Sequence, residues 1–260
     1  MDVLSLFRLD GEVAVVTGAG TGIGRGIALG LASAGADVVV AGRRPEVIED
    51  VAAEIREMGR RSLAVPTDVM DDDQLQRLID TTMAEFGKLD IWVNNAGGLQ
   101  GERPTVLRMH SRESFQHILD LNYVAPWAAI ARAQASMQPG GRIINVSSVA
   151  ALRGGTPTNG PYGAAKAALN HMTKTYALEL ARRKIRVNAI APGPVDTPDL
   201  RGSMSIGDEQ VAAIGESVTL GRLGTDEDFA AAAVYLASDD ALTITGVTLK
   251  IDGGITIAGP

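Results

Sequence analysis

Runs of β-branched residues alternate with alanine-rich stretches along almost the whole chain, and this rhythm restricts the fold more than any other feature. EVAVVTG (12–18), DVVVAGR (37–43), SLAVPTDV (62–69), LDIWVNNAG (89–97), GRIINVSSV (141–149), IRVNAIAPG (185–193) and GVTLKIDGG (246–254) read as seven strands. The segments between them read as helices. In PEVIEDVAAEIREMG (45–59), Val47, Ile48, Val51, Ile55 and Met58 recur at the spacing of one helix face. SRESFQHILDLNYVAPWAAIARAQASM (111–137) reads as one long helix. Strands joined through helical crossovers lie parallel, and a parallel sheet is covered on both faces. The expected fold class is α/β, a doubly wound sheet of about seven parallel strands with helices on both faces.

Composition agrees with that fold. The chain is 45% hydrophobic but only 4% aromatic, so alanine and branched aliphatic residues must fill the interior. No linker-like or low-complexity segment interrupts the rhythm, so residues 1–260 are expected to form a single domain. Two stretches break the alternation and are expected to border a site: 98–111 (GLQGERPTVLRMHS) and 194–217 (PVDTPDLRGSMSIGDEQVAAIGES). There are no cysteines, which excludes disulfides and thiolate metal sites. The net charge of −7 argues against a nucleic-acid partner. No apolar run reaches the length of about 18 residues that a membrane span needs. MDVLSLFRLDGE lacks the cationic-then-apolar order of a signal peptide, and a cytoplasmic enzyme is expected. The three histidines, His110, His117 and His171, fall in separate segments, so no metal site is indicated.

After the first strand comes TGAGTGIG (17–24), with Gly18, Gly22 and Gly24 in a turn that leads into a helix. Glycines permit unusual dihedrals and close approach to the backbone. A helix opening at Gly22, Ile23 and Gly24 would point free N–H groups and its positive dipole end toward a pyrophosphate. A purely structural turn would use the same glycines, and the spacing is not G-x-G-x-x-G. About 20 residues later, dinucleotide folds place an acid that binds the adenosine ribose. Here Arg43 and Arg44 occupy that neighbourhood. Guanidinium forks pair with a 2′-phosphate where a carboxylate would repel it, so NADP(H) is preferred, with NAD(H) as the alternative.

These segments resemble the short-chain dehydrogenase/reductase family in its single-domain form of about 250 residues. The resemblance covers 11–254 and includes TGAGTGIG (17–24), TDV (67–69), NNAG (94–97), LNYVAPW (121–127), INVSSVA (144–150), YGAAK (162–166) and RVNAIAPGPVDT (186–197) in the family's order. It implies a Rossmann-type sheet. It also implies that Asp68 and Val69 border the adenine, that Asn95, Ala96 and Gly97 pass beneath the nucleotide, and that Pro192, Gly193, Val195 and Thr197 hold the nicotinamide end. The catalytic set it implies is Asn122, Ser148, Tyr162 and Lys166. Two departures stand out. The Ser148–Tyr162 gap is one residue longer than usual, with Ser147 as a neighbouring alternative, and Thr21 stands where many NADP-dependent members carry a basic residue.

Tyr162 and Lys166 are four apart, on one helix face. A free phenol has a pKa of about 10, and a nearby ammonium favours the phenolate. Tyr162 is therefore expected to exchange a proton with a substrate oxygen, while Lys166 tunes it and binds the nicotinamide ribose. Ser148 is expected to hold the same oxygen, and Asn122, by resemblance, a water on the proton path. Leu99, Leu152, Pro194, Leu200, Met204 and Ile206 are candidate apolar walls, with Arg153 as a polar one. They suit a medium-sized hydrophobic or cyclic secondary alcohol or ketone. The alternatives are a 3-oxoacyl thioester and, in another class, a catalytically silent dinucleotide sensor. The apolar faces of the helices at 111–137 and 162–183 exceed what one sheet covers, and a homotetramer is expected.

Overall fold

The computed structural model describes residues 3–99, 105–154, 158–204 and 206–257. Its seven strands are β1 (Val13–Thr17), β2 (Asp37–Gly42), β3 (Ser62–Pro66), β4 (Ile91–Asn94), β5 (Arg142–Val146), β6 (Arg186–Pro192) and β7 (Thr248–Ile251). The helices are α1 (Gly22–Ser33), α2 (Pro45–Glu57), α3 (Asp72–Phe86), α4 (Arg112–Leu119), α5 (Ala125–Ser136), α6 (Gly160–Leu180), α7 (Pro198–Met204), α8 (Asp208–Glu216) and α9 (Asp226–Ala237). The strands form one sheet, all parallel as the alternation implies, in the order β3-β2-β1-β4-β5-β6-β7. From β1 the chain winds outward to β3, then crosses back to β4 on the other side of β1. The order thus reverses between β1 and β4.

Side chains of a strand alternate between faces, and each face has its own core. On one face Val16, Val38, Val40 and Val93 pack with Ile27 and Leu31 of α1, Ile48 and Ile55 of α2, and Phe229 and Leu236 of α9. On the other, Val15, Val39 and Trp92 meet Leu75 and Leu78 of α3, Ile130 of α5, and Leu169 and Tyr176 of α6. A buried polar chain locks α6 to the sheet. Trp92 Nε1 donates to Asn94 Oδ1 (2.7 Å), Asn94 Nδ2 to Asn145 Oδ1 (2.9 Å), and Asn145 Nδ2 to Thr173 Oγ1 (3.0 Å). Each of these groups would be costly to bury unpaired. The aspartates before α3 act locally: Asp71 Oδ1 accepts from the N–H groups of Asp73 and Gln74, capping the helix.

Two segments differ from the sequence reading. The helix expected over 111–137 is interrupted by a π turn, Asp120–Val124, between α4 and α5. Pro126 has no N–H to give the Asn122 carbonyl, and Asn122 Nδ2 donates to Ile118 O at 2.9 Å, a carbonyl that a regular α-helix gives to a backbone N–H. The 194–217 segment, read as irregular, folds into α7 and α8. Caps start both: Thr197 Oγ1 accepts from Leu200 N, and Gln210 Oε1 from Gly207 N. Within 98–111, residues 100–104 lie outside the described residues, and Leu107–Met109 forms a short 3-10 turn.

Candidate active site

In doubly wound sheets the binding crevice lies beyond the C-terminal strand ends, where the strand order reverses. A cleft of about 960 Å³ opens there. Every residue expected to touch a nucleotide, from Gly18 to Thr197, lines it, as do Ser148, Tyr162 and Lys166. Asn122 alone of the expected set stands behind the wall, fully buried.

The glycine turn is held by the fourth strand. Thr17 Oγ1 donates to Val93 O at 3.1 Å and accepts from the N–H groups of Asn95 (3.0 Å) and Ala96 (3.2 Å). Asn95 Nδ2 donates to the carbonyls of Thr17 and Gly18, each at 3.0 Å. Gly18 takes φ +64°, and a Cβ there would stand 2.8 Å from Ala96 Cα. A Cβ on Gly24 would be 2.3 Å from both Gly18 O and Asn95 Nδ2. The chain's own packing therefore demands these glycines, before any ligand is considered. Thr21, the N-cap of α1, makes no side-chain capping bond, so the first-turn amides of α1 reach the cleft without an internal acceptor. At the rim, Arg43 and Arg44 are exposed, and their guanidinium groups form no hydrogen bond or ion pair among the described residues. Asp68 Oδ1 accepts from Met70 N at 3.0 Å and so shapes its own turn.

At the far wall, the Lys166 side chain is buried, and its Nζ lies 5.7 Å from the centroid of the Tyr162 ring. Nζ donates to Val146 O at 2.8 Å. Burial pulls the Lys166 pKa down to about 8, so the ammonium survives at neutral pH and is lost in mild alkali. Ser147 is buried and its Oγ donates to Lys166 O at 3.3 Å, whereas Ser148 is half-buried in the cleft wall and its Oγ accepts from Ala150 N at 3.1 Å. Asn122 grips the loop after β4: its Oδ1 accepts from Gly98 N and its Nδ2 donates to Gly98 O, both at 2.9 Å. A Cβ on Gly97 would sit 2.8 Å from Asn122 Oδ1 and 3.2 Å from Lys166 Nζ, so Asn122 and Lys166 flank one glycine. Gly163 is small for a similar reason: a Cβ there would stand 2.9 Å from Ala150 O, in the turn that carries Ser148.

The apolar wall differs in part from expectation. Leu99, Pro194 and Leu200 line the cleft, but Leu152 turns to solvent, 43% exposed, and Ile206 lies elsewhere. The side chain of Met204 lies outside the described residues. Ile214 of α8 and Ile255 take part instead. Their contribution depends on how the α7–α8 segment and the chain after β7 fold back, which no local pattern records. Thr256, bonded through N and Oγ1 to Asp252 Oδ2, turns that end of the chain.

The family model described as enoyl-(acyl carrier protein) reductase matches residues 18–256. A 3beta-hydroxysteroid dehydrogenase of Eggerthella lenta is 39% identical, over 96% of this chain and 95% of the relative. A 3-oxoacyl-[acyl-carrier-protein] reductase of Synechocystis is 38% identical, over 96% and 98%. This chain belongs to the short-chain dehydrogenase/reductase family. A solved short-chain dehydrogenase of Burkholderia cenocepacia, in complex with NADP, superposes with a TM-score of 0.88 at 33% identity, over 96% of this chain and 99% of that one. As a short-chain dehydrogenase/reductase the chain is an oxidoreductase of CH–OH groups that uses a nicotinamide dinucleotide. The cleft fits that group, with uncapped helix amides, a side-chain-free floor at Gly18 and Gly24, and unpaired guanidinium groups at its rim. Among the described residues, no helix is long and apolar enough to cross a membrane.

Proposed function

We propose that this protein interconverts a secondary alcohol and a ketone, with Tyr162 as the acid/base, on a medium-sized hydrophobic or cyclic substrate. The observation that carries the reading is the buried Lys166 ammonium placed 5.7 Å from the Tyr162 ring, beside Ser148 in one cleft wall. When bound, the nicotinamide supplies or accepts the hydride. Tyr162 gives its hydroxyl proton to the carbonyl oxygen in reduction and takes it back in oxidation. Ser148 Oγ holds that oxygen in place. Lys166 keeps two N–H donors beyond the bond to Val146 O, enough to grip the ribose while its charge favours the phenolate. Asn122 fixes the Gly98 loop, and its carbonyl, deprived by Pro126 of an α-helical donor, is suited to a water that continues the proton path from Lys166.

NADP(H) is the preferred cofactor in this reading, on the strength of Arg43 and Arg44, with NAD(H) second. The chain works as a single domain in a cytoplasmic homotetramer. Trp127 on α5 and Leu178 on α6, 50% and 80% exposed, are where paired helices of neighbouring copies would meet. The Synechocystis relative and the matching family model support a second reading, reduction of a 3-oxoacyl thioester.

The Tyr162→Phe variant tests the mechanism. Turnover of steroid, cyclic and aliphatic ketones and of acetoacetyl thioesters, followed by nicotinamide absorbance, is expected to fall by at least about 10²-fold with cofactor affinity unchanged. A fully active variant would overturn the role of Tyr162. A wild type that reduces none of these compounds would favour a silent dinucleotide sensor.

A further inference from the structure

The turn that carries Ser148 continues to Arg153, which lies on a wall shared by the cleft and a side chamber of about 790 Å³. Leu107 and Arg108 line the same chamber, with Leu107 packed against Gly160, and Gly163 of α6 lines it too. Ala150, Arg153 and Asn159 line both the chamber and the cleft that holds Tyr162, so the two spaces share one wall. Arg153 Nη1 donates to Ile255 O at 2.6 Å. That bond pins the guanidinium and leaves four of its five donors for other partners. Arg108 is exposed and forms no hydrogen bond or ion pair among the described residues.

Charge makes this arrangement specific. No Asp or Glu is among the described residues that line the chamber. The one acid among the described residues that line the cleft, Asp68, stands past the end of β3 and bonds its own turn. In a chain of net charge −7, two arginines lining one chamber with no carboxylate among the described residues are poorly matched to a neutral substrate. They are well matched to an anion, because the planar fork pairs bidentately with a carboxylate.

We propose that the substrate is an oxo acid or hydroxy acid: its reacting carbon lies at Tyr162, an apolar body runs along the wall of Ala150, Arg153 and Asn159 that the cleft and the chamber share, and its carboxylate is held between Arg153 and Arg108. This assignment rests on the reading of Tyr162 as the acid/base and narrows the substrate class of that same site.

Calorimetry on the holoenzyme loaded with NADP⁺ tests it with a non-reacting pair, cyclohexanecarboxylate and its methyl ester. The carboxylate is expected to bind at least about tenfold tighter than the ester, with the preference shrinking at high salt. Arg153→Gln and Arg108→Gln are each expected to remove most of that preference and leave ester binding unchanged. Arg108→Gln breaks no bond among the described residues, so it remains informative if Arg153→Gln disturbs the fold. Equal binding of carboxylate and ester, or a preference that survives both substitutions, overturns the proposal. So does a chamber that ignores free carboxylates and takes only an acyl chain borne on an acidic carrier protein. Repeating the titration on Tyr162→Phe separates the two readings. Its carboxylate preference reports on the chamber alone, while its turnover reports on the acid/base.

Discussion

At the proposed nucleotide end of the cleft, a methyl group added to Gly24 would stand 2.3 Å from Gly18 O; at the proposed substrate end, one added to Gly154 in the side chamber would meet nothing within 4 Å among the described residues. The same contrast runs through the hydrogen bonds. Thr17 and Asn95 bind the glycine turn through five contacts between β1 and β4. The proposed substrate end is built from short helices, an exposed 3-10 turn at Leu107–Met109, and an Arg153 guanidinium tethered by one bond among the described residues. A dinucleotide has one shape, so its site can be set by backbone packing. A substrate site that differs between relatives acting on steroids and on acyl chains is better carried by side chains on segments that can change without disturbing the sheet.

The most direct way to break this comparison is one substitution made at both ends. Gly24→Ala is expected to destabilise the protein by about 2–3 kcal/mol, since the Gly18 carbonyl is backbone and cannot swing aside. That corresponds to a fall in Tm of roughly 5–10 °C, with a large loss of cofactor affinity. Gly154→Ala is expected to shift Tm by less than about 2 °C. Calorimetric melting of both variants checks this, and equal shifts would show that the two ends are equally tight.

What was legible in the sequence divides along the same line. The seven strands and the glycine turn were readable because each depends on short-range features: β-branched runs, glycine spacing and the residues following each strand. Asn122 was placed in a helix but not in a π turn, because the interruption arises from its side chain competing for Ile118 O together with a proline four residues on. The resemblance implies Ser148, with Ser147 as a neighbouring alternative, and the fold separates the two by pointing Ser147 Oγ into the Lys166 carbonyl. Ile214 and Ile255 were missed because they reach the cleft through the packing of α8 and of the chain after β7.

Lys166 sharpens the comparison from the proposed catalytic wall, where burying its ammonium costs the fold stability. Burial holds its pKa near 8 in the fold, against 10.5 for an unperturbed lysine. Between those values the unfolded chain binds more protons than the folded one, so stability rises with pH across that window. Below pH 8 both states are protonated and the full penalty of burying the ammonium remains. Lys166→Met, which keeps the length and removes the charge, is expected to stabilise the cofactor-free protein at pH 7 by about 1–3 kcal/mol. It should also flatten the dependence of Tm on pH between 8 and 10 and abolish turnover. Melting curves from pH 7 to 10 measure this, and an unchanged slope in the variant would mean that another group titrates.

Arg43 gives the smallest of these effects and the finest discrimination, because it sits where the tight nucleotide end meets solvent. The backbone around it follows β2 and leads into Pro45, the first residue of α2, so its removal leaves the framework intact. Its guanidinium is exposed, and contacts at exposed sites are weakened by water and salt. A charge-assisted pair with a doubly charged phosphate still contributes about 1.4 kcal/mol, or tenfold in affinity. Arg43→Ala is therefore expected to weaken NADPH binding by about tenfold and NADH binding by less than about twofold, with Tm unchanged. Adding Arg44→Ala should widen the NADPH loss if both forks reach the 2′-phosphate, and leave it unchanged if only Arg43 does. Fluorescence titration of each reduced cofactor into wild type and both variants measures the ratio. Equal losses for the two cofactors would place Arg43 on the shared part of the nucleotide, and the preference for NADP(H) would have to come from elsewhere.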